Sequence, residues 1–289
     1  MDTKELQNEL TDAIDECKRI TKEAEELLNK VMDMGVYSIT TLNGIKLVSW
    51  KDGSWEDIAN MIEAHYAGDI NIVDYWKCED TRRIELKNGE FIDLVLIDNN
   101  HDDLVNPING IRKAVFTVQT KNCLNTKMCM FDSYDDPKFS LWSNSDIRNY
   151  LNTEFYQNLP DELQSLIKTV MKVTYRYAYK PKFGPYYRGS TTTEEAVFLL
   201  SEMEVYGTQE LDASTFGSGS DGTQYEYYKT ASKRIKYLGI DGTIAKDWWL
   251  RSSIVDGGRY SRFRGVNRSG SVDYDIVSNT YGVVPAFCI

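Results

Sequence analysis

The sequence predicts an α+β fold carried behind a helical stalk: a coiled-coil helix over residues 1–35, a small α+β region over 36–110 and a ligand-binding domain over 111–289. Three observations lead there. The chain opens on a 4-3-4-3 apolar spacing, continues in short alternating strand patterns joined by Asn-Gly turns, and sets capped helical patterns between those strands.

The opening spacing runs unbroken through Leu6, Leu10, Ala13, Cys17, Ile20, Ala24, Leu27, Val31 and Met34, the seam of a coiled coil. Glu9, Glu16, Glu23 and Lys30 flank it. Ile14 and Leu28 widen the seam, which favours more than two strands, so a parallel homotrimer assembled through residues 6–34 is expected. Ala13, Cys17 and Ala24 weaken it, and the competing reading is a lone helix packed on its own globular domain.

Beyond Met34, Tyr37–Thr41 and Ile45–Val48 alternate around Asn43-Gly44 as a hairpin. Ser54 then caps a helix over Trp55–Ala67, with Ile58, Met61 and Ile62 on one face, Asp57 completing a capping box and Gly68 as the stop. Arg83–Leu86, Phe91–Asp98 and Ala114–Gln119 read as antiparallel strands, the first two joined by Asn88-Gly89. A helix starts at Ser145 and runs through Leu151; another is expected over Pro160–Val173, from Leu163, Leu166, Ile167 and Val170. Ala196–Leu200 reads as a buried strand, Ser214–Gly222 as an exposed loop and Gln224–Ala231 as a short helix, before strands that close on Val283–Ile289.

With 289 residues, 42% of them hydrophobic, the chain can bury a substantial core. No run approaches the roughly 20 apolar residues of a membrane helix. MDTKELQNEL lacks the basic flank and apolar run of a secretory signal, so no membrane association and no general export are expected. A net charge of −11 argues against nucleic acid as a partner. The five cysteines (Cys17, Cys78, Cys123, Cys129, Cys288) form no Cys-x-x-Cys pair, and with two histidines there is no zinc spacing; reduced thiols, no metal and no cofactor are expected.

The last 42 residues, Trp248 to Ile289, hold no Lys, Glu, Gln, His or Met, and 24 of them are Ser, Arg, Gly, Tyr, Asp or Asn. That vocabulary suits recognition: Tyr and Arg give wide, flat contact with few rotors to freeze, while Ser, Asn and Gly give hydrogen bonds and turns.

SWKDGSWEDIANMIEAHYAG, DYWKCEDTRRIEL, LWSNSDIRNYLN, FLLSEMEVYG, TQYEYYK, WWLRSS and the terminal GVVPAFCI occur here in that order. Over about residues 36–289 the chain thereby resembles an uncharacterised phage and prophage tail-associated family of Gram-positive gut bacteria, domain of unknown function 6273. Its end segment, WWLRSS through GVVPAF, also resembles the C-type-lectin fold of diversity-generating retroelement variable proteins and of the formylglycine-generating enzyme. The second resemblance implies a frame of Trp248, Trp249, Leu250, Val266, Val272, Val283 and Phe287. It implies an outward contact face of Asp256, Arg259, Tyr260, Ser261, Arg262, Arg264, Asn267, Ser269, Asp273, Tyr274, Asp275, Ser278, Asn279 and Tyr281. Arg251 is set apart as a buried guanidinium that satisfies loop carbonyls. The resemblances together imply a receptor-binding or tail-tip protein of the virion tail, contacting a bacterial surface protein or glycan and other phage tail subunits.

Catalytic readings are weaker. His65 and His101 have no nucleophile pattern beside them. Asp98, Asp102 and Asp103 match no calcium loop and read as a solvated acidic turn. The cysteine pair of the formylglycine-generating enzyme is not matched, since only Cys288 lies in the C-terminal region. A structural tail subunit is the alternative function. A glycan hydrolase, the third, would need two carboxylates about 5–10 Å apart in a cleft, for which Glu202 and Glu204 are candidates by residue type.

Overall fold

A computed structural model describes residues 13–14, 16–23, 41–132, 141–178, 187–208, 221–254 and 262–289. The chain divides into two units, Met1–Thr41 and Leu42–Ile289.

In the first unit, residues 13–14 and 16–23 are helical, here called α1. Arg19 bridges Glu16 and Glu23 one turn to either side, each at 2.6 Å. Ile14, Cys17 and Ile20 are exposed, Ile20 to 54%. The other seam positions, apart from Ala13, lie outside the described residues.

The second unit is α+β. The turn Asn43-Gly44, both residues at positive φ, links β1 (Thr41–Leu42) and β2 (Ile45–Lys46). Helix α2 (Trp55–Ala67) has the expected bounds: the Ser54 side chain accepts from the Asp57 N–H, and Gly68 closes it in the left-handed conformation. It buries Ile58, Met61 and Ile62.

A five-stranded sheet forms the centre, in the order β11 (Val197–Phe198), β18 (Ala286–Cys288), β7 (Phe116–Thr120), β4 (Phe91–Asn99), β3 (Thr81–Glu85). Leu94–Ile97, all of β7 and all of β18 are buried, so consecutive side chains, which point to opposite faces of the sheet, are alike out of solvent, Thr117, Gln119 and Thr120 among them. β4 pairs with β7, Leu96 opposite Val118. Strands from both sides of the border expected between residues 110 and 111 share this sheet and its core.

A second sheet orders β10 (Tyr187–Glu195), β9 (Val170–Ala178), β5 (Asp103–Ile108) and β6 (Ile111–Lys113). The helix expected over 160–173 ends early, as α5 (Asp161–Leu166), and Val170 begins β9. The helical spacing of Leu163, Leu166, Ile167 and Val170 was a coincidence of two elements. β-Branched Thr169, Val170, Val173 and Thr174 suit a strand, and nine register pairs with β10 outweigh the local period. The helix capped by Ser145 is longer than expected, running from α3 (Asp146–Tyr150) through a π-helical turn, Leu151–Phe155, into α4 (Tyr156–Asn158).

The third sheet orders β16 (Val272–Ile276), β15 (Arg262–Val266), β14 (Trp248–Ile254), β17 (Tyr281–Gly282) and β8 (Lys127–Met128), with β14 and β17 parallel. A short ribbon, β12 (Lys236–Tyr237) with β13 (Ala245–Lys246), completes the strands. Helix α6 (Glu202–Tyr206) follows β11 and starts in a full capping box between Ser201 and Glu204.

Candidate functional site

WWLRSS becomes the inner strand of the C-terminal sheet. Trp248, Trp249, Leu250, Arg251, Ser252 and Ser253 are all buried. Each indole N–H finds a carbonyl, Trp248 on Arg234 at 2.9 Å and Trp249 on Met128 at 2.8 Å, so the rings enter the core with no orphaned donor. Tyr281 stacks on Trp249 at 4.3 Å between centroids. Gly265 permits this approach, since a Cβ there would lie 3.0 Å from both the Trp248 carbonyl and the Tyr281 ring.

On this frame sits the β15–β16 ribbon, with Arg264 opposite Tyr274 and Arg262 opposite Ile276. Tyr274 is 47% exposed, and the Arg262 guanidinium lies 5.2 Å from its ring centroid. Ser269 and Asn279 are exposed; Asn267, Asp273, Asp275 and Ser278 are half-buried. Asn267 Oδ1 accepts from the Ser269 and Ser271 N–H groups and so shapes the turn. Asp275 accepts from Asn279 at 2.7 Å. Burial, then Asp275 and Asp273, push the Tyr281 phenol upward.

Two members of the expected face are corrected. Arg264 is 4% exposed and pairs with Glu202 on α6 at 3.0 Å; two residues from Arg262 it shares that residue's strand face, so the helix packed over its end of the ribbon, not strand alternation, buries it. Tyr281 serves the frame with the ring face it lays on Trp249. Val272, expected in the core, is half-buried. Asp256, Arg259, Tyr260 and Ser261 lie outside the described residues.

Behind the sheet lies a charged cluster that the sequence reading did not assemble. Lys172 on β9 donates to Asp102 Oδ1 at 2.5 Å, Glu204 Oε1 at 3.0 Å and the Tyr225 hydroxyl at 2.7 Å. Thr117 and Tyr225 donate to Asp102 Oδ2 at 2.5 and 2.9 Å. Arg251 grips Glu204 with both Nη atoms and donates to the Leu199 and Asp221 carbonyls. Ser252 donates to Asp221 Oδ2 at 2.8 Å.

Lys172 and Arg251 thus lie among three carboxylates, Asp102, Glu204 and Asp221, out of water. Burial opposes ionisation of Asp102, but Lys172 and His101 outweigh it and hold the carboxyl well below its ordinary range. Glu204 is likewise held low against burial by Arg251 and Lys172. Burial would lower Lys172, but Asp102 and Glu204 raise it. Burial drives Tyr225 and Cys288 upward.

Asp102, read as part of a solvated acidic turn, is in fact buried. Glu202 and Glu204 are each 2% exposed and ion-paired, so they do not line the cleft a glycan hydrolase needs. His101 packs on Tyr225 at 4.0 Å and shares a hydrogen bond with Thr223. Arg251 is buried as expected, although a carboxylate is its main partner. The capping-box pattern Ser201-x-x-Glu204 was the available signal for the cluster; Lys172 gave none while it was counted within a helix.

Fold and surface together define a mixed α+β scaffold with an outward Tyr/Arg ribbon and an internally ion-paired core. The chain belongs to the family described as Domain of unknown function (DUF6273), which matches residues 117–289, more than half of its length. Comparison with curated proteins and with solved structures gives no match.

Proposed function

We propose that this protein is a receptor-binding or tail-tip component of a phage or prophage tail, adhering without chemistry to a bacterial surface protein or glycan. In this reading the C-terminal sheet is a C-type-lectin-like frame and the β15–β16 ribbon is its contact face. The observation that carries it is Tyr274, an exposed ring under the Arg262 guanidinium at the edge of a sheet whose inner strand buries Trp248 and Trp249. Residues 6–34 supply the stalk, and the exposed Ile14 and Ile20 fit a helix whose seam awaits partner copies. Three weak faces on one stalk would raise effective affinity roughly 10²–10⁴-fold.

The test uses the full chain and intact Gram-positive cells. The double variant Arg262→Ala, Tyr274→Ala should lose cell adsorption at an unchanged melting temperature. Undiminished adsorption would reject the face. For the stalk, light scattering of a chain lacking residues 1–35 should show a threefold lower mass than the full chain; equal masses would reject it.

A further inference from the structure

Lys172 and Asp102 occupy neighbouring strands. β9 carries the lysine, Asp102 immediately precedes β5, and Leu104 pairs with Val170, so the backbone holds both side chains in one register. Nζ lies 2.5 Å from Oδ1, and both residues are withdrawn from solvent. The Phe198 ring stands 3.9 Å from Nζ and the Tyr225 ring 5.4 Å. A second carboxylate, Glu204, touches the same Nζ. An amine nucleophile, a carboxyl electrophile and a proton acceptor therefore converge in a dry, aromatic-walled site within hydrogen-bond reach of one another.

We propose that Lys172 and Asp102 condense within the folded chain into an intramolecular amide joining Nζ to Cγ, with Glu204 as the proton shuttle. A proton first passes from the Lys172 ammonium to Asp102 Oδ1. The freed amine attacks Cγ, and the charge that develops on Oδ2 falls where Thr117 and Tyr225 already donate. Glu204 Oε1 takes a second proton from nitrogen and hands it to Oδ1. The Cγ–Oδ1 bond breaks, and that oxygen leaves as water with both protons. One hydrogen stays on nitrogen, and no oxidant, reductant or further reactant enters.

The product suits its surroundings. Two buried charges disappear, and Glu204 keeps Arg251 as its counter-ion. The new N–H faces Glu204 Oε1, and the new carbonyl keeps its Thr117 and Tyr225 donors, so both polar groups of the amide have partners. The donors that keep Asp102 ionised make the first proton transfer the slow step, but one event per chain is enough. The result is a covalent clip between two strands, independent of what the outer ribbon binds.

Intact-mass spectrometry of the purified, denatured full chain tests it. The mass should fall about 18 Da, one water, below the value its sequence requires, and a branched proteolytic peptide should join Asp102 to Lys172. Lys172→Arg, which keeps the charge but lacks a primary amine, should show its full mass. A wild-type chain at full mass, a deficit mapped to other residues, or a deficit that survives in Lys172→Arg would each overturn the proposal. None of these readings requires the variant to fold.

Discussion

The Glu204 carboxylate meets the Arg251 guanidinium fork to fork inside the second unit, although 47 residues separate them in the chain. α6 supplies one partner through its capping box, and β14 supplies the other through WWLRSS. Arg251 also holds the Leu199 and Asp221 carbonyls, so its removal would take the bidentate cation from a buried carboxylate, leaving it to Lys172 and the Ser201 N–H, and a donor from two buried carbonyls. Arg251→Ala should cost about 3–5 kcal/mol in urea unfolding, and Arg251→Lys should not restore it, because an ammonium cannot present the fork. A loss under about 1 kcal/mol would mean that the pair is dispensable.

Glu204 also sets the acid limb of stability. Its folded carboxyl is held below the ordinary value of 4.5, so the folded state binds fewer protons than the unfolded one as pH falls past that value. Its contribution is fully present above that pH and is lost as pH drops through the lowered folded value. Circular dichroism should therefore show stability level from pH 7 to 5 and falling below about 4.5. A decline already complete at pH 5.5 would contradict this.

Lys236 works in the opposite sense. It is 1% exposed, donates to the Lys121 carbonyl at 3.0 Å, and lies 5.2 and 5.4 Å from the rings of Tyr227 and Tyr228. Burial lowers its pKa to about 7, with Cys123 opposing that shift and Lys121 and Lys233 adding to it. Between that value and the ordinary lysine range the unfolded chain binds the extra proton, so stability should rise with pH from about 7 to 10. Lys236→Met should gain on the order of 2 kcal/mol at pH 7 and flatten that rise. A variant as steep as wild type would assign the rise to another group.

Arg262 and Arg264, two residues apart on β15, should respond differently. Arg262→Ala, at the half-buried ribbon surface, should change stability by less than about 0.5 kcal/mol. Arg264→Ala removes the buried cation paired with Glu202 and should cost about 3 kcal/mol. Equal thermal shifts would place both arginines in the same environment.

Gly265→Ala tests the frame. The added methyl would press on the Trp248 carbonyl and the Tyr281 ring, and should cost about 1–3 kcal/mol. Tyrosine fluorescence would follow the displaced ring, and an unperturbed melt would show that the stack yields without cost.

Much of the scaffold was legible from local pattern. Trp55–Ala67 was delimited by Ser54, Asp57 and Gly68, because caps are satisfied within a few residues of the helix they close. Trp248, Trp249 and Leu250 were named as a frame from the resemblance of WWLRSS, and they are buried. The strand Val170–Ala178 was not legible, because its apolar spacing continued the period of the helix before it and its pairing partners lie far along the chain.

Composition and spacing were enough to establish an α+β chain, its capped helices and a C-terminal segment rich in recognition residues, since each depends on neighbours in sequence. Which of those polar residues face outward was a tertiary decision. Arg262 and Arg264 are the same residue type on one strand, and only the arrival of α6 with Glu202 takes one of them inside. Asp102, Lys172, Glu204 and Arg251 likewise become one ion-paired cluster only when β5, β9, α6 and β14 converge, because buried charges are stable only beside partners that no local pattern specifies.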